Sequence, residues 1–309
     1  MASCSARLGI LVRVARSRML ETAKRLLRTP ADELVGRVAQ RVFSASERLF
    51  PRTPKAAVSG SQSSSDILVA LLSGNTTWMF SASATPAEIV SRLRVSVPSD
   101  ESRVLNAARR IVSGEIPVLG HCWTNVGSPP RWRHEPLASL NTPLEHWSRI
   151  NYLDRSVAGD HKVLWEFNRH QHLITLAQAW QYSRAPELLN HLSSWLRDNP
   201  PRRGANWASS LEVAYRSISW CWTFRLLSGL QCTSDVLAST FADELLSSID
   251  AHGRHIRRYL STWFSPNTHL TGEALGLLYL GTCFPSLSDA EKWRTLGTEI
   301  LEAPPANMM

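Results

Sequence analysis

The sequence predicts a mainly helical fold: an α/α toroid of antiparallel helical hairpins, with a small strand-and-loop region before it. Three observations carry this. From about residue 161 onward, apolar side chains recur at intervals of three and four, as at Val163, Phe167, Ile174, Ala177 and Trp180, the period of a helix. The segments this pattern implies, about 163–182, 185–198, 207–228, 235–261, 270–283 and 289–303, are parted by short breaks at Asn199-Pro200-Pro201, Gly229, Ser265-Pro266 and Phe284-Pro285. Short breaks make neighbouring helices antiparallel. Segments 163–182, 207–228 and 270–283 are apolar on nearly every side, so they form an inner ring that the others wrap.

The remaining elements follow in order. Residues 5–50 read as two basic amphipathic helices parted at Pro30, the second beginning near Asp32. The stretch 51–65, rich in Pro, Ser and Gly, reads as a linker. Thr85-Pro86-Ala87-Glu88 is a capping box with proline at the first helical position, so a helix runs to about Leu93 and another from Ser99 to about Val112. Residues 115–150 carry seven Pro and Gly residues and read as short strands and loops. Ser288-x-x-Glu291 is a second capping box, opening the last helix. The domains expected are a basic helical arm (1–55), a lead-in (56–115) and the helical domain (116–309).

Composition excludes several classes. Of 309 residues 43% are apolar and 19% charged, a globular balance and not that of a disordered chain. Five scattered cysteines without a Cys-x-x-Cys pair argue against a disulfide framework or a zinc ribbon; Cys221, Cys232 and Cys283 read as buried core thiols. The apolar run Ile67–Leu72 is far shorter than the roughly 20 residues of a membrane span, and Leu8–Val12 is too short for a secretory signal, so the sequence names no compartment and the cytoplasm stands only as the default. The formal charge of +8 at first points to a polyanion. Residues 1–55, however, hold 12 Lys and Arg against 4 Asp and Glu, and residues 56–309 hold 22 of each. The whole excess lies in the arm, and no nucleic-acid-binding motif accompanies it.

Three polar clusters interrupt the apolar helices. The first is Trp165-Glu166-Phe167-Asn168-Arg169-His170-Gln171-His172, which costs free energy to bury unless its members bond to one another or line a wet cleft. His170 and His172 are two apart and point to different helix faces, so neither metal nor any other cofactor is expected. The second runs from Gly204-Ala205-Asn206-Trp207 to Glu212 and Arg216. Asn206 is a good helix cap, and Glu212 and Arg216, four apart, can pair. The third is Ser265-Pro266-Asn267-Thr268-His269-Leu270-Thr271-Gly272-Glu273. Each cluster reads as structure or as site: caps and a satisfied hydrogen-bond network, or convergent donors and indole faces for a sugar ring bearing a carboxylate.

In this order and spacing, WEFNRHQHL (165–173), NPPRRGANWASSLEVAYRSISW (199–220) and SPNTHLTGEALGLLYLGTCFP (265–285) resemble the N-terminal domain of heparinase II/III-type polysaccharide lyases and their alginate lyase relatives. WRHEP (132–136) and HWSRINYLD (146–154) look like that family's lead-in. The resemblance covers about 120–303. It implies an incomplete α/α toroid followed by a β-sandwich, export from the cytoplasm in many members, an acidic polysaccharide or oligosaccharide as partner, and β-elimination at the 1,4-bond of a uronic acid. That reaction needs the sugar carboxylate neutralised before a base takes the C5 proton and an acid protonates O4. Carried over, Asn267 neutralises the carboxylate and His269 assists it. Asn168, Arg169, His170, His172, Asn206, Trp207, Glu212 and Arg216 are candidates for lining the cleft.

The sequence departs from the family pattern in two places. Some relatives read Asn-Asn-His where this chain has Asn267-Thr268-His269. The family's catalytic tyrosine segment and β-sandwich do not follow the helix 289–303, so a truncated lyase is expected, holding part of the catalytic set. A non-catalytic carbohydrate-binding or vestigial module, and a toroidal glycosidase using two of Glu166, Glu212 and Glu273, are the competing readings.

Overall fold

The computed structural model describes residues 29–51, 55–73, 85–120, 122–184, 188–227, 239–263 and 265–303. The expected helix within 5–27 and Cys232 lie outside them. The chain forms two compact units, Met1–Pro51 and Arg52–Met309. The described part of the first is one helix, α1 (Ala31–Leu49), with Asp32 and Glu33 in its first turn, where acidic groups suit the helix dipole.

The second unit opens with a segment that the sequence presents as linker. Val58 bridges Leu287, Ser59 N–H donates to the carbonyl of Ser286 at 2.8 Å and Ser288 N–H to that of Ala57 at 2.7 Å. A helix follows, α2 (Ser64–Leu72), started by a capping box of Ser63 and Asp66 and burying Ile67, Leu68, Leu71 and Leu72 against later helices. Then come α3 (Pro86–Ser96), with the expected Thr85–Glu88 box, and α4 (Ser99–Val112). The strand region holds two antiparallel hairpins, β1 (Glu115–Val118) with β2 (Cys122–Asn125) and β3 (His134–Glu135) with β4 (Leu140–Asn141).

The helical body begins with the single turn α5 (Arg155–Ala158) and α6 (His161–Asn168), each opened by an aspartate cap, Asp154 and Asp160. It continues with α7 (Gln171–Ser183), α8 (Leu188–Asp198), α9 (Ser210–Leu226), α10 (Ser239–Arg258), α11 (Thr268–Cys283) and α12 (Ala290–Glu302). The structure is thus mainly helical, as expected. The central helix α9 packs on α7, α10 and α11, while α11 and α12 lie along each other. Five tryptophans, at positions 132, 195, 207, 220 and 293, are at most 1% exposed and are the largest side chains of the core. Cys221 and Cys283 are buried free thiols. Gly272 and Gly276 allow α11 onto α9: a Cβ on Gly276 would stand 2.7 Å from the Ala214 Cβ. Among the described residues no helix is long and apolar enough to cross a membrane.

Three local expectations are corrected. The helix expected over 163–182 is broken, because His170 adopts φ +62 and separates α6 from α7. Asn206 caps no helix; it sits in a 3₁₀ turn (Ala205–Trp207), and α9 starts behind Ser209. The Ser288–Glu291 box does not form: Asp289 occupies the cap position of α12, Ser288 N–H is taken by Ala57, and Glu291 pairs with Arg294.

Candidate functional site

The break at His170 organises the site, because it turns successive side chains of one segment in opposite directions. Arg169 reaches the surface, with a quarter of its side chain exposed, whereas His170 is wholly enclosed.

The inward residues form a buried network. Asn168 donates from Nδ2 to the carbonyls of Trp132 (3.0 Å) and Leu164 (2.8 Å), and its Oδ1 accepts from Trp195 Nε1 (2.9 Å) and Asn206 Nδ2 (3.0 Å). Asn206 Nδ2 also meets Asn199 Oδ1 at 2.8 Å. Arg216 lies beneath, 1% exposed, with its guanidinium over Trp195 and Trp207. It donates to the carbonyls of Asn168 (3.3 Å) and Asn206 (3.1 Å) and to His252 Nε2 (2.9 Å). His252 Nδ1 faces the Ser248 carbonyl at 2.6 Å. That contact assigns the ring proton to Nδ1 and leaves Nε2 as an acceptor. The acceptors around this cation are neutral, and burial lowers its pKa to about 9.

The expected Glu212–Arg216 pair does not form. Glu212 is taken by Arg169, whose Nε and Nη2 reach its two oxygens at 2.7 and 2.9 Å, while Nη1 holds Glu166 at 2.6 Å. Helical spacing permits the i,i+4 pair, but the two-pronged approach of Arg169 satisfies both carboxylate oxygens and frees Arg216 to turn inward between the indoles. Arg169 also covers the Tyr215 ring, 5.0 Å from its centroid. Beside it Tyr152, His161 and Trp165 form a ring cluster with centroids 4.7–5.4 Å apart. His161 is partly exposed; its pKa is lowered chiefly by burial, and Asp160 and Glu212 pull the other way. Tyr152, His161 and Tyr215 are the residues that sequence reasoning passed over. Tyr152 and His161 stand in or beside the lead-in motifs, which was the available signal.

The third motif lies on the neighbouring helix. Asn267 and Thr268 are exposed and His269 is half-buried. Asn267 Oδ1 caps α11 by accepting from Thr268 N–H at 2.7 Å, and also accepts from Ser265 Oγ at 2.9 Å. The close packing of α9 and α11 puts the Tyr215 hydroxyl 3.9 Å from where a Cβ of Gly272 would stand. The Asn267 cap is then about 7 Å further along the helix axis. One turn below His269, Glu273 is fully buried and accepts from both Ser261 N–H and Ser261 Oγ at 2.6 Å, which ties down the loop between α10 and α11. Burial raises its pKa to about 7.

Of the sequence candidates, Asn168, His170, His172, Asn206, Trp207, Glu212 and Arg216 are therefore buried, and Arg169, Asn267 and His269 reach the surface. Among the described residues no group of three His, Cys, Asp or Glu is placed to hold a metal ion.

A helical body with these ordered motifs defines a domain related to polysaccharide lyases. A family model described as Heparinase II/III N-terminus matches residues 132–307, more than half of the chain, and the chain belongs to that family. Among solved structures, a mutant of the heparan sulfate lyase HepC from Pedobacter heparinus is 19% identical with a TM-score of 0.50, over 70% of this chain and 32% of that one. A heparinase III, the BT4657 gene product with methylated lysines, is 16% identical with a TM-score of 0.48, over 78% of this chain and 40% of that one. At such identity the HepC likeness is one of fold, and this chain spans about a third of that protein's length. No curated protein matches.

Proposed function

We propose that residues 116–309 form the substrate-holding helical domain of a lyase that cleaves uronic-acid polysaccharides by β-elimination, with 56–115 leading into it and 1–55 a separate arm. The observation that carries this reading is Asn267. It stands exposed at the start of α11 with its oxygen spent on the helix cap, so the amide Nδ2 is the group left to meet substrate. A uronate carboxylate needs donors before its C5 proton becomes acidic, and the helix N-terminus adds the positive end of its dipole. In this reading Asn267 Nδ2 binds the carboxylate and His269 assists on the side of the base. Arg169 and Tyr215 wall the cleft; Glu212 holds Arg169, and Asn168, His170, His172, Asn206, Trp207 and Arg216 are packed in the interior behind that wall.

The domain supplies the carboxylate-binding half of the reaction, and the proton-transfer half needs a tyrosine that the Asn267–His269 segment does not carry. Glycoside hydrolysis fits less well, because Arg169 engages both Glu166 and Glu212, leaving neither free to protonate a leaving oxygen.

The test is binding of heparan sulfate and alginate oligosaccharides to the 309-residue chain, with ultraviolet absorbance watched for unsaturated uronate. Asn267→Ala is expected to weaken binding about tenfold, the size of one charge-assisted hydrogen bond. It should leave unchanged the binding of the same oligosaccharides with their carboxyls reduced to alcohols. Equal affinity of both proteins for the native oligosaccharide would sink the assignment. Strong turnover by the chain alone would remove the division of labour but not the role of Asn267.

A further inference from the structure

The basic excess of the chain lies wholly in residues 1–55, which the proposed lyase reading leaves unused. Helix α1 adds a second observation. Val35, Val38, Val42 and Leu49 are 69, 57, 60 and 74% exposed, and their spacing of three, four and seven sets them on one face. Phe50, 68% exposed, extends the row past the helix end. Arg41 and Arg48, also exposed, each precede a member of the row by one residue and so border it, about 100° round the helix. A continuous row of exposed branched side chains on a helix marks an interaction face.

The occupant must offer an apolar interior and negative charge together. Nucleic acid and sulfated polymers offer charge without an apolar phase. A second copy would bring its own arm of 12 basic against 4 acidic residues and repel the first. We propose that α1 lies on the surface of an anionic lipid bilayer. The valine row enters the acyl boundary and Arg41 and Arg48 meet the headgroups, while the seven Lys and Arg of residues 1–28 add to the positive charge of the arm.

The test is co-sedimentation of the full chain with vesicles of phosphatidylcholine alone or mixed with phosphatidylglycerol. Binding to the mixed vesicles is expected to be at least about tenfold stronger and to weaken with added salt. The double substitution Val38→Gln with Val42→Gln should lower it about tenfold, with the far-ultraviolet circular dichroism unchanged. Arg41→Gln with Arg48→Gln, which leaves the apolar row intact, should remove part of the preference for phosphatidylglycerol and so gives a second reading if the first variant misfolds. Equal partition to both vesicle types, or binding that neither variant alters, overturns the proposal. So does a chain that is dimeric without vesicles and becomes monomeric on Val38→Gln with Val42→Gln.

Discussion

Lowering the pH should unfold this protein through its buried histidines. His170, His172, His191 and His252 are each at most 4% exposed. Burial lowers the pKa of all four, His191 to about 4 and the others well below 6.5. Among the described residues, His170 Nε2, both nitrogens of His172 and His191 Nδ1 have no hydrogen-bond partner, so a protonated ring would find no acceptor. The unfolded chain takes up these protons below about 6.5 and the folded one does not, so folded stability is intact at neutral pH and falls as the pH drops. Between pH 7 and 5 a histidine moved from 6.5 to about 4, as His191 is, forfeits about 2 kcal/mol, and His170, His172 and His252 forfeit stability in the same direction. Glu273 acts oppositely. Its folded pKa lies above its unfolded one, so over the same interval folding gains about 2 kcal/mol. His191 alone offsets Glu273, so the net loss is set by His170, His172 and His252. Urea unfolding at several pH values measures it, with a midpoint that falls steeply below pH 6.5. A midpoint constant or rising from pH 7 to 5 would refute the reasoning, and His191→Gln should make the fall shallower by about 2 kcal/mol.

The remaining predictions concern α11. Glu273→Gln removes an opposing group, so unfolding of this variant should depend more steeply on pH between 4.5 and 7; an unchanged slope would mean that Glu273 is ionised throughout. Gly276→Ala puts a methyl 2.7 Å from the Ala214 Cβ and 3.0 Å from its Cα. The overpacking, about 1–3 kcal/mol, outweighs a helix-propensity gain of at most about 1 kcal/mol, so the thermal midpoint should fall by several degrees, and a raised midpoint contradicts the close approach of α9 and α11.

Much of this fold was legible because its signals are local. The Thr85–Glu88 box, the helix ending at Val112 and the apolar helix α11 depend on spacing within one segment, and the structure forms them as read. What escaped depends on partners remote in sequence. The segment 55–60 looks like linker because its Ser and Gly content hides an extended pairing with residues 286–288. The break at His170 was hidden because a left-handed conformation is uncommon outside glycine, and it is the Trp220 Nε1–His170 Nδ1 bond that fixes this ring. Asn206 and Glu212 were rightly singled out as polar residues needing partners. Which partners they take, Asn168 and Asn199 for one and Arg169 for the other, is decided by helices that meet only in three dimensions.

The pairing of residues 55–60 with the turn before α12 also sets an order of events during synthesis. Gln62 and Ser286, joined at 2.9 Å, are 224 residues apart. At a ribosomal pace of about 5–20 residues per second the early segment waits on the order of 10–45 s for its partner. The leucine-rich helix that follows it must stay unsheltered for as long, since α9 and α10, on which it packs, also arrive late. The first part of this unit to leave the ribosome is therefore among the last to be secured.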